Sequence, residues 1–229
     1  MDIDSLIQLD KQLLFMFNGS QSLYLDSLAH ILTTASTWIP LYLSLFYLVM
    51  KNNENAKQII QVLLAVGCCL LLTGTFCDTI IKPTVARWRP THDPEIGVLV
   101  DVVNGYRGGD YGFFSSHAAN TFGIAVFFCW LVRSRILSLS LIAWSLINCW
   151  TRLYLGVHYP GDILVGILWA TIMSSLVYYA YYVITRQSES GDFISSQYTS
   201  TGYQRSDIDI VMCVLTFTLV YAVIRACIN

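Results

Sequence analysis

Between Thr151 and Asp162 the chain reads T-R-L-Y-L-G-V-H-Y-P-G-D, placing an arginine, a histidine and an aspartate in a sequence otherwise poor in charge. Pro160 and Gly161 interrupt two apolar runs, so the stretch reads as a tight helix–turn–helix junction, with Pro160 suited to the first turn of the second helix. His158 and Asp162 fall close enough for the carboxylate to accept a hydrogen bond from one imidazole nitrogen. That pairing fixes the tautomer and leaves the other nitrogen free to attack or to take a proton. A plainer reading is a capping Asp beside an interfacial His.

Two further polar clusters sit at the ends of apolar runs. Lys82-Pro-Thr-Val-Ala-Arg-Trp-Arg89-Pro90 closes one run, and Phe114-Ser115-Ser116-His117 opens the next. Arginine binds phosphate through a bidentate fork and lysine adds a point charge. Hydroxyls and backbone N–H groups at a helix start donate to phosphate oxygens. Two histidines permit covalent phosphoryl transfer, one attacking phosphorus and the other protonating the leaving oxygen. Three cations, Lys82, Arg89 and Arg152, supply the neutralising charge, so neither a metal nor another cofactor is expected. Each piece has a duller alternative. Lys82 and Arg89 can snorkel at an interface, Ser115 and Ser116 can cap a helix, and His117 can be a satisfied interfacial side chain.

The elements that must position these residues are membrane helices. Of 229 residues, 55% are apolar and 12% charged, about half the charged fraction of a soluble domain. The mean hydropathy is +0.56. The expected architecture is all-α: one membrane-embedded domain over residues 1–229 with its motif core at 82–162. An amphipathic helix over 3–17 would lie on the membrane surface, with Asp2, Asp4, Asp10 and Lys11 away from its apolar side. Six spans follow, at 31–50, 58–77, 118–132, 136–151, 163–185 and 210–228. The 82–116 segment reads as a functional loop, and 186–207 as a mobile polar one.

A net charge of -2 argues against a nucleic-acid partner. The seven cysteines lie in or beside apolar runs, without a CxxC pair, and read as packing residues. The acidic start at Met1-Asp-Ile-Asp does not resemble a cleavable signal peptide. Six spans put the 82–116 loop and the 152–162 junction on one face. Lys51, Lys57, Arg133, Arg135, Arg186 and Arg205 lie on the other, marking it as cytoplasmic. Both termini and the site are therefore expected outside the cytoplasm.

With the motifs in place, the chain resembles the type 2 phosphatidic acid phosphatases, a superfamily shared with vanadium haloperoxidases. That family carries K-x6-R-P, P-S-G-H and S-R-x5-H-x3-D in this order. Here Lys82-x6-Arg89-Pro90, Phe114-Ser115-Ser116-His117 and Thr151-Arg152-x5-His158-x3-Asp162 keep every spacing. The resemblance implies phosphate binding by Lys82, Arg89, Arg152 and Ser115, with Ser116 in the glycine position of that motif. It implies His158 as nucleophile, Asp162 as its orienting carboxylate and His117 as general acid. Phe114, Ser116 and Thr151 depart from the family's Pro, Gly and Ser. Ser116 stands where glycine lets a backbone N–H approach phosphate closely, and Phe114 would alter the wall facing lipid.

A site at a membrane boundary suits a lipid-borne phosphate. The Asp93–Tyr111 loop and the Phe114-Ser-Ser-His variant look most similar to bacterial lipid A 4'-phosphatases, and Asp101, Asn104, Arg107 and Asp110 are candidates either to bind a sugar headgroup or only to order the loop. The resemblance implies a metal-independent phosphatase of the bacterial inner membrane, its site facing the periplasm and needing no obligate protein partner. Undecaprenyl pyrophosphate and phosphatidylglycerol phosphate are competing substrates. A vanadate-loaded haloperoxidase and a structural or transport-linked protein with a decayed site are the other readings.

Overall fold

The computed structural model describes residues 3–185 and 196–228. Among these the chain is a helical bundle without extended strands. Helices α1 (Ile3–Leu14), α2 (Leu23–Thr33), α3 (Ile39–Lys51), α4 (Ala56–Leu70) and α5 (Lys82–Val85) precede a long ordered loop. Helices α6 (Ser116–Val132), α7 (Arg135–Tyr154), α8 (Pro160–Thr185) and α9 (Arg205–Ile228) follow it.

Four stretches are long and apolar enough to cross a membrane: Ala56–Val85, Arg135–Tyr154, Pro160–Thr185 and Arg205–Ile228. A fifth is the pair Leu23–Thr33 and Ala35–Lys51, bent by 66°. Helix α6, at 17 residues, is apolar but shorter. Most of α6 is buried, because α7, α8 and α4 pack around it. The outer helices present their apolar residues outward: Leu64 is 67% exposed, Leu164 67% and Phe217 73%. Side chains of this kind on every outer helix belong against lipid rather than water.

The first span differs from the straight helix expected over 31–50. Pro40 lacks an N–H and its ring would clash one turn upstream, so α2 cannot run into α3. The chain is extended at Thr34. Carbonyls freed by the break are satisfied locally: Trp38 Nε1 donates to Leu32 O at 2.8 Å and Thr37 Oγ1 to Ile31 O at 2.7 Å. Trp38 then packs edge-on against Trp144 of α7, which holds the bend in the core.

Helix α4 continues through two wider π-type turns, Leu71–Thr75 and Cys77–Ile81, into α5. At Gly74 the side chain of Asn120 occupies the space a Cβ would need, so α4 and α6 approach closely there. Such π-turns shift the facing of the residues beyond them; here they precede Lys82.

Polar loops gather at two ends. At one, Asn52 Oδ1 accepts from Gln204 N at 2.7 Å and Thr201 Oγ1 donates to Val132 O at 2.9 Å. This joins the turns at 51–55, 133–135 and 196–204. Arg186, and the part of the 186–207 loop up to 195, lie outside the described residues. The rest of that loop is pinned rather than mobile: Tyr198 and Gln204 form a bridge, and Thr199 and Tyr203 are buried. The other end carries α1, the 86–115 loop and the 155–159 turn. All seven cysteines are free thiols.

Candidate active site

Three elements meet at the second end. The first is the foot of α5. Lys82 is buried and donates through Nζ to Asp78 Oδ1 at 2.5 Å and to Ser116 Oγ at 3.0 Å. The chain then leaves α5 through Ala86 in a left-handed conformation, and Trp88 bridges to Tyr111. Backbone bonds from Arg89 N to Asp110 O and from Gly112 N to Arg87 O, each 2.9 Å, close the loop at its base. Arg89 is thereby directed inward. A Cβ at Gly112 would crowd the site, standing 3.2 Å from both Arg89 Cγ and Asp162 Oδ2.

The second element is the start of α6. Ser115 is fully buried and caps the helix, its Oγ accepting from Ala118 N at 3.3 Å. Its own N–H donates to Asp162 O at 3.1 Å, fastening α6 to α8. The capping reading and the site reading of Ser115 are thus compatible. The ring of His117 faces the backbone of Thr33. Phe114 is an interior residue packed against Trp169 and beside Cys77, not a lipid-facing wall.

The third element is the α7–α8 junction. Arg152 lies in the last turn of α7, nearly fully buried. Its Nη1 donates to Thr33 Oγ1 at 2.5 Å and its Nη2 to Tyr106 OH at 3.2 Å. Thr151 gives its hydroxyl to Asn148 O at 2.7 Å, within its own helix. His158 is 1% exposed. Its Nε2 is 2.8 Å from Arg89 Nη1, which also donates to Val157 O at 3.0 Å. Guanidinium only donates, so Nε2 carries the lone pair and Nδ1 carries the proton.

One expected contact is longer than anticipated. His158 Nδ1 is 3.5 Å from Asp162 Oδ2, a charge-pair distance rather than a hydrogen bond. The carboxylate is held elsewhere: Oδ2 accepts from Tyr159 N at 3.0 Å and Oδ1 from Arg87 Nη1 at 2.7 Å.

All eight residues singled out from the sequence, Lys82, Arg89, Ser115, Ser116, His117, Arg152, His158 and Asp162, thus share one cluster. Burial, followed by the charges of Arg89, Arg152 and Lys82, holds His158 well below the usual imidazole range. It is therefore a neutral imidazole at pH 7. Burial and neighbouring Arg152 also lower Arg89 from its ordinary value. Among the described residues, Arg89 Nε, Arg152 Nε and His158 Nδ1 are buried without a hydrogen-bond partner. Donors of this kind, converging from two arginines, fit an oxyanion.

Thr33, Tyr106, Asp78, Arg87 and Asp10 also belong to this region, although the motifs do not mark them. Thr33 and Tyr106 hold Arg152, and the Tyr106 ring lies 5.4 Å from its guanidinium carbon. Arg87 and Asp10 carried a sequence signal, as charged residues in an apolar chain. Thr33 and Tyr106 carried none, because only the 66° bend and the loop closure bring them in. Asp101, Asn104, Arg107 and Asp110 lie on the exposed side of the loop, where Arg107 Nη1 donates to Thr91 O at 3.0 Å.

Long apolar helices enclosing three cations and two histidines at one end define an integral membrane protein with a site suited to phosphate. The chain belongs to the PAP2 superfamily, whose pattern matches residues 62–186 and so spans all three motifs. It is 34% identical over 228 residues to a lipid A 4'-phosphatase of Bacteroides thetaiotaomicron (strain VPI-5482), covering 98% of this chain and all of that one. A lipid A 4'-phosphatase of Porphyromonas gingivalis (strain ATCC 33277) is 32% identical over 184 residues, covering 78% of this chain and 75% of the relative. No solved structure matches the chain.

Proposed function

We propose that this protein hydrolyses the 4'-phosphate monoester of lipid A through a phosphohistidine on His158, without a metal. The mechanism rests on one observation above all: a buried neutral imidazole whose Nε2 lone pair faces Arg89 while Asp162 stands behind its Nδ1. The substrate rests on the full-length similarity to a lipid A 4'-phosphatase.

In the first step His158 Nε2 attacks phosphorus. The P–N bond forms as the bond to the lipid oxygen breaks, and His117 gives that oxygen a proton. Lys82, Arg89 and Arg152, with the Ser115 and Ser116 hydroxyls, hold the phosphoryl oxygens and offset the charge developing on them. Arg89 then exchanges its contact with Nε2 for a phosphate oxygen. Asp162 takes up the Nδ1 proton's hydrogen bond as the ring becomes cationic. In the second step a water oxygen attacks phosphorus and passes its proton to His117. The P–N bond breaks, and phosphate leaves with both histidines restored.

The same reading makes the protein a six-span enzyme of the bacterial inner membrane, with α6 as the spanning helix inside the ring of others. Its basic turns at Lys51, Arg133, Arg135 and Arg205 face the cytoplasm, and the site and α1 face the periplasm. Helix α1 lies in the interface, with Leu6 and Leu9 turned outward. The exposed loop residues Asp101, Asn104, Arg107 and Asp110 meet the sugar headgroup. No obligate protein partner enters the reaction.

The test is phosphate release by purified, detergent-solubilised protein, with chelator present, from lipid A, undecaprenyl pyrophosphate, phosphatidylglycerol phosphate and phosphatidic acid. Chelator-resistant release from lipid A, with the 4'-phosphate lost by mass spectrometry and no release by His158→Ala, is the expected result. Release chiefly from undecaprenyl pyrophosphate would keep the mechanism and move the substrate to the cell-wall carrier. Full release by His158→Ala would remove the mechanism.

A further inference from the structure

A chain of charged, partly buried side chains runs from the catalytic turn into the N-terminal helix. Asp162 Oδ1 accepts from Arg87 Nη1 at 2.7 Å, and Arg87 Nη2 donates to Asp10 Oδ2 at 2.6 Å. The other oxygen of Asp10 accepts from Gly161 N at 2.7 Å. Asp10 of α1 is therefore joined to the first turn of α8 twice, once directly and once through Arg87. The next residue of α1 grips the other side of the same turn. Lys11 pairs with Asp93 at 3.3 Å and Glu95 at 2.5 Å, and Tyr159 OH donates to Asp93 Oδ2 at 2.6 Å. The Arg87 guanidinium carbon lies 4.2 Å over the Tyr159 ring, between the two arms.

This arrangement has a consequence for the carboxylate. Asp162 is fully buried, and a buried carboxylate without fixed partners is costly and free to turn. Here Arg87 fixes one oxygen and Tyr159 N–H the other, leaving Oδ2 3.5 Å from His158 Nδ1. As Nε2 bonds phosphorus and the ring gains charge, only a short closing movement separates Oδ2 from the Nδ1 proton. Burial works against the charge on Arg87, but Asp162 and Asp10 outweigh it, so the guanidinium stays cationic and the relay intact.

We infer that Arg87 and Asp10 are positioning residues for the catalytic carboxylate, and that α1 is thereby part of the catalytic apparatus. The inference rests on His158 being the nucleophile. Neither residue lies among the groups set to hold phosphate, so their loss acts on the chemical step rather than on substrate binding.

The experiment uses the full chain in detergent: wild type, Asp10→Asn, Asp10→Glu, Arg87→Gln and His158→Ala. Kinetics are measured with lipid A, and the His158 imidazole is titrated by 15N NMR. The chain has 4 histidines, so His158→Ala assigns the signal. Asp10→Asn is expected to lower kcat about tenfold, by analogy with outer partners of ligating histidines, with KM changed less than about twofold. Asp10→Glu should recover most of that loss. The His158 midpoint should move down in Asp10→Asn, which removes a negative charge behind Arg87. It should move up in Arg87→Gln, which frees the charge of Asp162. The other groups facing His158, namely Lys82, Arg89, His117 and Arg152, are the same in both variants, so opposite displacements report the relay. A kcat for Asp10→Asn within about twofold of an active wild type, or midpoints that stay put or move together, overturns the inference. If wild type and variants release no phosphate, the proposed function fails and the titration alone decides the relay. If Arg87→Gln does not fold, the Asp10 pair decides it.

Discussion

The two ends of the bundle bury polar groups in opposite ways. At the far end the buried polar groups among the described residues are matched. Asp207 accepts from Tyr47 OH at 3.2 Å and Asn52 Nδ2 at 3.0 Å, and Asn52 Oδ1 takes the N–H of Gln204. One carboxylate and one amide stitch the end of α3 to the start of α9, as a structural contact does. At the site end Lys82, Arg89 and Arg152 are buried within one cluster; Asp78 pairs with Lys82 and Asp162 with Arg87, and no carboxylate among the described residues pairs with Arg89 or Arg152. Arginine and histidine nitrogens there have no partner among the described residues. Buried donors left unmatched lower stability, so the arginine and histidine nitrogens gathered at the site end mark function, whereas the matched groups of the far end mark packing.

Mutations should separate the two ends. The largest effect is on catalysis: His158→Ala should cut phosphate release by about 10³-fold or more, with the melting temperature unchanged. Arg152→Met comes next. It should reduce kcat/KM by about 10²- to 10³-fold, and because an unpaired buried cation becomes a packed apolar chain, thermal unfolding should occur at the same temperature or higher. Asn52→Ala should do the reverse. It strands Gln204 N–H and one bond of Asp207, costing about 1–3 kcal/mol of stability, while kcat in the surviving folded fraction stays at the wild-type value. Loss of stability in Arg152→Met, or a selective loss of kcat in Asn52→Ala, would erase the distinction between the ends.

Acidification should affect the site end through His158. Burial and three cations hold its folded-state value well below 6.5. The unfolded chain therefore binds a proton near pH 6.5 that the folded chain refuses, so stability is retained above that pH and lost as pH falls through it. The same depression keeps the His158 imidazole unprotonated. The acid limb of kcat/KM should lie below pH 6.5, and a limb at or above it would contradict a buried neutral His158.

Much of the site was legible because its chemistry is carried by charge in an apolar chain. Lys82, Arg89, Arg152, His158 and Asp162 stand out by type, and fixed spacing ties them to helix ends. Apolar runs likewise located the long helices to within a few residues. Helix interruptions were less legible. A proline at the second position of a helix reads equally as a start or a kink, so Pro40 did not reveal that the first span is broken at Thr34. The sequence pattern of α1 sets its charges away from the apolar side but not what they meet, and in the structure Asp10 and Lys11 face the protein while Leu6, Ile7 and Leu9 are turned outward. An amphipathic pattern gives the two faces of a helix but not which partner each face meets.

The smallest expected effect tests whether that broken span belongs to the site. Thr33 reaches Arg152 only because α2 ends at the bend, and its hydroxyl accepts from Nη1 at 2.5 Å. Thr33→Val keeps the volume and the backbone contact to His117 but removes this acceptor. A hydrogen bond to a charged group contributes about 1.5 kcal/mol, which corresponds to about a tenfold fall in kcat/KM. Size alone would not prove the route, so the variant belongs in a cycle with Arg152→Met. If Thr33 acts by orienting the guanidinium, its effect should vanish once the guanidinium is gone, whereas in an Asn52→Ala background it should persist in full. A Thr33→Val loss that adds undiminished to Arg152→Met would mean the bend supports the bundle in general, and would move Thr33 from the site to the packing side of the comparison.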